Sequence, residues 1–238
     1  MAILVDAQKI QVTKEEYIKA LIIAWEKTFE EHPKKEQIGV IYSQTMIETG
    51  LKAFWNNNIG NIKYVPSKNP EDDKLKKYMM LPNVWEIING QKVIFNPPHP
   101  ATWFRAFDTL AEGIEDHFQF LAGKRWKLAW TAVVAGDPSD FARKLKIQGY
   151  YTAPLADYEK GLNLYFKSYM SSNMFDTIND VIRLERKTDP DITPVMQPLI
   201  FVDNELPVLD ESDEVIKLTK WQEFKKKLFG LVNLTKKT

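Results

Sequence analysis

Residues 47–63 carry the sequence Ile47-Glu48-Thr49-Gly50 and, after a three-residue gap, Phe54-Trp55-Asn56-Asn57-Asn58-Ile59-Gly60-Asn61-Ile62-Lys63. This stretch places one acid, Glu48, at the end of an apolar, helix-like run and beside glycine, aromatic rings and side-chain amides. A carboxyl that is held against apolar surface resists ionisation, so it can still donate a proton near neutral pH. Aromatic faces and amides are groups with which a cleft binds a sugar. The stretch therefore predicts a proton donor beside a saccharide-binding surface.

Two helices are predicted ahead of this stretch. The capping box Thr13-Lys14-Glu15-Glu16 opens the first helix, and apolar residues follow it at helical spacing until His32-Pro33. The second helix is expected to start near Lys34 and to bring Glu48 close to its C-terminal end, where Gly50 is a natural stop.

A β-hairpin is predicted after the stretch. Residues 51–77 are expected to be loop, and two β-prone runs then follow at 84–88 and 91–95. The pair Asn89-Gly90 between these runs favours a two-residue turn. Residues 104–107 predict one further short strand.

Helices return in the second half of the chain. Asp108 is expected to cap the first of them, and apolar periodicity predicts others at 126–134, from Asp137-Pro138, and around 158–169. Helices, then a hairpin, then helices is the order of an α+β fold that is mostly α.

The composition is that of an ordinary globular protein. The chain has 238 residues, enough for one large domain or for one domain with an appendage. The 32 basic and 32 acidic residues give no basic excess, which argues against a nucleic-acid partner. With no cysteine there is no disulfide frame, and no apolar run is long enough to make a membrane span expected. The N-terminus shows no secretory signal.

The character of the chain changes after Ser171. We expect one domain over residues 1–171 and, over residues 172–238, an extension of uncertain structure with a linker, a short β segment and a basic amphipathic helix at 215–238. A short helix is also predicted over 176–187. The basic end has three interpretations: a helix packed on the domain, an anchor to wall polymers or a membrane surface, and a virion assembly contact.

Glu48 and its loop resemble the catalytic region of a known family. In the bacterial and phage glucosaminidases of glycoside hydrolase family seventy-three, which belong to the lysozyme-like superfamily, a glutamate is followed by a loop ending N-x-x-G-x-K. Residues 58–63, which read N-I-G-N-I-K, are a close variant of that ending. The resemblance implies that Glu48 is the catalytic acid and that Asn58 and Asn61 are the amides at the sugar. It also implies a lysozyme-like domain in which an α-lobe and a small β-hairpin lobe flank a cleft.

Two further segments carry the same resemblance. Residues 148–154 are similar to the family's G-Y-A-T-D-P segment, although Ala153 replaces the aspartate. Tyr150 matches the tyrosine that lines the cleft, and we expect Tyr151 and Trp55 to contact substrate with it. The competing interpretation of these rings is that they are packed in the core.

The other segment, residues 103–121, resembles the family's F-R-x-Y/F-D-S, D-H and F-L framework. Arg105 is expected to anchor a carboxylate, and His117 to make a polar contact rather than bind a metal. Three scattered histidines predict no metal site, and no cofactor is expected.

Glu86 is the candidate for a second catalytic carboxylate. It lies just before Asn89-Gly90, where family members often carry an acid in a strand reading x-E-x-x-N-G. The resemblance implies that Glu86 acts as a general base on water or stabilises positive charge. An exposed strand residue without a catalytic role is an equal alternative. A sugar with a 2-acetamido group can supply its own nucleophile, which would make Glu86 less important. Asp108 and Glu112 are weaker rivals because the start of a helix explains each of them.

The resemblance, which spans about residues 17–169, implies a peptidoglycan hydrolase that cleaves β-1,4 bonds of cell-wall glycan strands, as an endo-β-N-acetylglucosaminidase. A muramidase or lytic transglycosylase on the same fold is one alternative. A phage virion or wall-binding protein without turnover is another. The missing secretory signal favours a phage-encoded protein made in the host cytoplasm or carried in the virion.

Overall fold

The computed structural model describes residues 2–52, 54–88, 91–151 and 153–188. Helices α1 (Lys14–Phe29) and α2 (Lys35–Glu48) lie at its centre. The predicted capping box starts α1, because the Thr13 hydroxyl accepts from the Glu16 N–H and the Glu16 carboxylate accepts from the Thr13 N–H at 2.8 Å. In α2 every residue from 37 to 45 is buried, so neighbouring elements enclose this helix on all sides.

Five helices follow in the described part of the chain: α3 (Leu110–Ala122), α4 (Lys127–Ala135), α5 (Pro138–Ile147), α6 (Leu155–Met170) and α7 (Met174–Thr188). α3 packs against α1, and α6 packs along α2. Together with three small sheets, these helices confirm the α+β, mostly helical class.

One predicted helix cap is wrong. Asp108 does not cap α3; its neighbour Thr109 does, accepting from the Glu112 N–H while the Glu112 carboxylate accepts from the Thr109 N–H. The reciprocal pair satisfies two helix-end donors, which Asp108 alone could not do. Asp108 instead lies exposed in an ion pair with Lys77, at 2.6 Å.

Short strands build two small sheets that the sequence pattern did not predict in full. β1 (Ile3–Leu4) runs parallel to β4 (Lys77–Met80), and β4 pairs antiparallel with β7 (Trp103–Ala106), the strand expected near residue 104. β2 (Lys9–Ile10) pairs with β3 (Phe54–Trp55). Through these strands, residues 3–10 pair with residues 54–55 and 77–78, within and at the end of the segment predicted as loop.

The predicted hairpin is present as β5 (Val84–Ile88) and β6 (Gln91–Phe95), which form a two-stranded sheet. Residues 85–93 belong to a second compact unit, separate from residues 2–84 and 94–188. Within this unit the Lys92 ammonium lies 5.0 Å from the centre of the Trp85 ring.

Helix α7 extends the helical core beyond residue 171. It packs on α1, its residues Phe175, Ile178 and Ile182 are buried in the main core, and Lys19 of α1 pairs with Glu185 at 2.6 Å. The helix predicted over 176–187 is therefore confirmed, whereas the domain boundary at 171/172 stays a prediction. The predicted basic segment 215–238 lies outside the described residues. Among those residues, every helix is too short or too polar to cross a membrane.

The close approach of α3 to the loop after β3 generates a prediction. A Cβ atom at Gly113 would lie 1.9 Å from the Asn57 carbonyl oxygen. We expect Gly113→Ala to lower the free energy of unfolding by about 1–3 kcal/mol in urea titrations, because backbone would have to move. Gly161→Ala is the control: its Cβ would meet only the flexible end of Ile47, at 3.3 Å, so we expect a change below about 1 kcal/mol. Equal effects of the two substitutions would contradict this packing.

Candidate active site

Glu48 is the last residue of α2, and its side chain is half-buried. The helix ends there because Thr49 leaves helical geometry and Gly50 adopts φ +62°, in the left-handed region that glycine tolerates. Tyr158, a buried residue of α6, donates its hydroxyl to Glu48 Oε1 at 3.2 Å. The packing of α6 along α2 therefore fixes the acid.

Tyr151 supports this contact from the segment between α5 and α6. Its ring stacks on Tyr158 with ring centres 3.9 Å apart. Its hydroxyl donates to the Ala142 carbonyl of α5 at 2.9 Å, and the Lys146 ammonium lies 5.3 Å from its ring centre. The Tyr151 hydroxyl is thus engaged by the protein backbone, and the stacked ring holds Tyr158 in place.

Tyr150 is the second phenol near Glu48. It lies edge-on to Trp126 with ring centres 5.1 Å apart. Burial, and then the negative charge of Glu48, raise the pKa of Tyr150 well above its ordinary value, and the same two causes raise the pKa of Tyr158. Both phenols therefore stay protonated across the neutral range, Tyr158 as a hydrogen-bond donor to Glu48 and Tyr150 close enough to feel its charge.

Asn58, which the motif suggested as a sugar ligand, is a buried part of the loop itself. Its Nδ2 donates to the carbonyls of Ile62 and Arg105 at 2.9 and 3.0 Å, and its Oδ1 accepts from the Ile62 N–H at 2.8 Å. Only 1% of the residue is exposed. A sugar could reach this amide only if the loop opened.

The other asparagines of this loop adopt a left-handed backbone conformation that few residue types tolerate. Asn56, Asn57 and Asn61 have φ of 44°, 57° and 49°, in the left-handed region where asparagine is among the best tolerated residues. Asn57 is buried and donates to the Phe107 carbonyl at 3.1 Å, and Asn56 donates to the Asp6 carbonyl at 2.9 Å. Asn61 is half-buried. Its contact with substrate stays a prediction.

Trp55 and Glu86 lie in different parts of the structure. Trp55 is half-buried on β3, where it packs against the small cluster of Met79, Phe104 and Ala106. Glu86 is exposed on β5, within the second compact unit. A catalytic role for Glu86 stays a prediction from the motif.

The prediction that Arg105 anchors a carboxylate is confirmed. Its guanidinium contacts both oxygens of Asp116, at 2.7 and 2.8 Å. His117, the next residue, makes the expected polar contact, with Nε2 3.2 Å from Gln44 Oε1. Burial, and then the charge of Arg105, lower the pKa of His117 to about 4, so the imidazole is neutral near pH 7. Gln44 was missed, because a buried glutamine interrupts the helical pattern without any motif to mark it.

A surface cavity of about 440 Å³ lies elsewhere, between β4, β7 and α3. Its lining includes two ion pairs described above, Arg105 with Asp116 and Lys77 with Asp108. Glu48 does not line this cavity. Among residues 2–52, 54–88, 91–151 and 153–188, no group of three or more metal-binding side chains is present.

No protein-family model and no curated protein matches this sequence. Solved structures do. A mutant peptidoglycan hydrolase from Sphingomonas sp. A1 is 18% identical, with a TM-score of 0.45 over 70% of this chain and 99% of that one. The glycoside hydrolase domain of Salmonella typhimurium FlgJ is 15% identical, with a TM-score of 0.41 over 74% and 99%.

The catalytic domain of the autolysin Auto from Listeria monocytogenes is also similar to this chain. It is 17% identical, with a TM-score of 0.44 over 70% of this chain and 89% of that one. Identities and TM-scores of this size describe only a distant likeness.

The position of Asn58 predicts a structural role that can be measured. We expect Asn58→Ala to lower the free energy of unfolding by about 1–3 kcal/mol or more, because it leaves buried backbone groups without partners. Asn163→Ala is the control: this half-buried amide bonds only the Ser139 hydroxyl and the Glu159 carbonyl of its own helix. Equal losses in urea titrations would contradict the special role of Asn58.

Neutral, buried His117 predicts a pH dependence of stability. Its pKa is about 4 in the fold and near 6.5 when unfolded, so the unfolded chain binds more protons between these values. Stability is therefore lost as the pH falls from 6.5 towards 4. We expect the stability of the wild type relative to His117→Gln to decrease by about 1–2 kcal/mol between pH 7 and pH 5. Parallel stability curves for the two proteins would rule this out.

Proposed function

We propose that this protein is a peptidoglycan hydrolase that cleaves β-1,4 glycosidic bonds of the cell-wall glycan, with Glu48 as general acid and endo-β-N-acetylglucosaminidase specificity. One observation carries the proposal. The glutamate that matches the family motif is half-buried at the end of an enclosed helix and accepts a hydrogen bond from the buried hydroxyl of Tyr158. A surface glutamate that merely closed a helix would not need the buried Tyr158 phenol and the half-buried Tyr150 phenol near it.

Cleavage of a glycosidic bond requires a proton on the leaving oxygen and stabilisation of an oxocarbenium-like transition state. Under the proposal, Glu48 gives its proton to the glycosidic oxygen and becomes a carboxylate. Tyr158 and Tyr150, held in their protonated forms, then stabilise this carboxylate as neighbouring donors. The phenols therefore favour the charge that develops on Glu48 during bond cleavage.

The remaining roles rest on the motifs. Glu86 is proposed as the assisting carboxylate, and it becomes dispensable if the 2-acetamido group of the sugar supplies the nucleophile. Trp55, Asn61, Tyr150 and Tyr151 are proposed to contact the glycan. Asn58 is proposed to act through the loop that it holds. A phage origin, and contact of the basic segment with virion or wall polymers, stay predictions.

Substitution of the acid tests the proposal. We expect Glu48→Gln to slow hydrolysis of purified peptidoglycan by about 10²–10⁴-fold, because an amide cannot donate the proton in its place. The fold should persist, since the glutamine oxygen can still accept from Tyr158. Glu36→Gln, an exposed substitution in the first turn of the same helix, is the control and should keep full activity. Full activity of Glu48→Gln, measured by release of soluble fragments, would refute the assignment.

Mass spectrometry of the released fragments tests the specificity. We expect new reducing ends at N-acetylglucosamine. Reducing-end N-acetylmuramic acid would instead identify a muramidase, and an anhydro sugar would identify a lytic transglycosylase. Binding to the wall without any fragments would favour a wall-binding protein without turnover.

A further inference from the structure

The segment ahead of α1, residues 3–10, forms an arm that reaches the loop of the catalytic motif. Strand β2 of this arm pairs with β3, so that Lys9 lies opposite Trp55 and Ile10 lies opposite Phe54. In the described part of the chain, β2 and β3 make up a sheet of two strands. The arm is therefore the element that holds the backbone of Trp55.

Asn56, the residue after β3, joins the loop to the arm through three hydrogen bonds. Its N–H donates to the Gln8 carbonyl at 2.8 Å, and its Oδ1 accepts from the Gln8 N–H at 2.7 Å. Its Nδ2 donates to the Asp6 carbonyl at 2.9 Å. Glycine would adopt the φ of 44° at this position at least as well, so backbone conformation alone does not require asparagine. The side-chain amide is needed for the two bonds that it makes to the arm.

The arm also packs on the same surface as the Trp55 side chain. Successive side chains of a strand point to opposite faces. Phe54 is accordingly buried in the main core, whereas half-buried Trp55 packs against the small cluster around Met79. Val5 and Ala7 of the arm pack against that same cluster. A shift of the arm would therefore alter the packing on which the Trp55 ring rests.

The other end of the arm is fixed separately, to β4. The Ile3 N–H donates to the Lys76 carbonyl at 2.8 Å, and the Val5 N–H donates to the Tyr78 carbonyl at 2.9 Å. Loss of the Asn56 side chain would leave the arm attached at this end. It would free the part of the arm that lies beside Trp55.

We propose that Asn56 is a positioning residue: by fastening the arm to the loop, it holds the Trp55 ring in the orientation in which the ring contacts the glycan. The inference rests on the proposed function, in which Trp55 is a glycan contact. A ring that is ordered before binding loses less conformational entropy when the glycan binds. Asn56 acts through Trp55 and not on the reacting atoms, so its effect falls on substrate binding rather than on the chemical step.

A double-mutant cycle tests this route. Asn56→Gly tolerates the left-handed backbone but removes both side-chain bonds to the arm. We expect it to raise KM for soluble glycan fragments by about fivefold and to change kcat by less than about twofold, the pattern of lost substrate binding. Trp55→Ala should raise KM at least as much, and the double variant should be no worse than Trp55→Ala alone. Effects on KM that multiply, or an unchanged KM in Trp55→Ala, would overturn the inference.

Asn83→Gly is the matched control. Asn83 is also an asparagine with a left-handed backbone, at φ 55°, and it is exposed outside the arm and the loop. The substitution should leave KM and kcat within about twofold of the wild type. A rise in KM equal to that of Asn56→Gly would contradict the inference, because it would show a general effect of replacing such asparagines.

NMR of the folded chain supplies a readout that needs no substrate. In Asn56→Gly we expect the indole N–H signal of Trp55 to move and the Gln8 amide to exchange at least about tenfold faster. The Val5 amide, which bonds β4, should keep its exchange rate within about twofold. Asn83→Gly should change none of these signals.

These spectra separate the two proposals. The expected changes in a chain that does not hydrolyse peptidoglycan would reject the proposed function and leave the positioning of Trp55 by Asn56 standing. Hydrolysis by a chain in which Asn56→Gly leaves the Trp55 signal or KM unchanged would reject the inference and leave the function standing.

Discussion

The hydrogen bond from Tyr158 to Glu48 joins α6 to the end of α2, and the geometry of the whole site depends on these two helices staying in register. α2 cannot shift without disturbing the core, because it is buried along most of its length. The acid is therefore placed by packing rather than by its own loop. The two phenols beside it occupy the same region because α5 and α6 bring them back to α2 from more than one hundred residues along the chain.

The loop after β3 obeys a second constraint. Asn58 bonds the loop to itself and to β7, and Gly113 lets α3 approach the Asn57 carbonyl. The asparagines that the motif suggests as sugar ligands therefore stabilise the conformation of this loop, through left-handed φ angles and through hydrogen bonds to its backbone. The loop packs on the His117 ring, and this ring contacts Gln44 of α2. The loop therefore also supports the helix that carries the acid.

Local signals in the sequence were sufficient for most of the fold. Capping residues and apolar spacing predicted α1, α2 and the later helices, and Asn89-Gly90 predicted the hairpin strands. β1, β2 and β3 have only two residues each, too few for any periodicity, and partners distant in sequence define them. The motif identified Glu48 and Tyr150, but Gln44 was not predictable, because its contact with His117 crosses 73 positions of the chain.

General acid catalysis by Glu48 can be tested through the dependence of the cleavage rate on the leaving group. Protonation matters for a sugar leaving group and hardly at all for a dinitrophenolate, which departs without a proton. We expect Glu48→Gln to slow cleavage of peptidoglycan by about 10²–10⁴-fold. The same variant should cleave a dinitrophenyl β-glycoside of an N-acetylglucosamine oligosaccharide almost as fast as the wild type. An equal loss on both substrates would contradict the role of Glu48 as the acid.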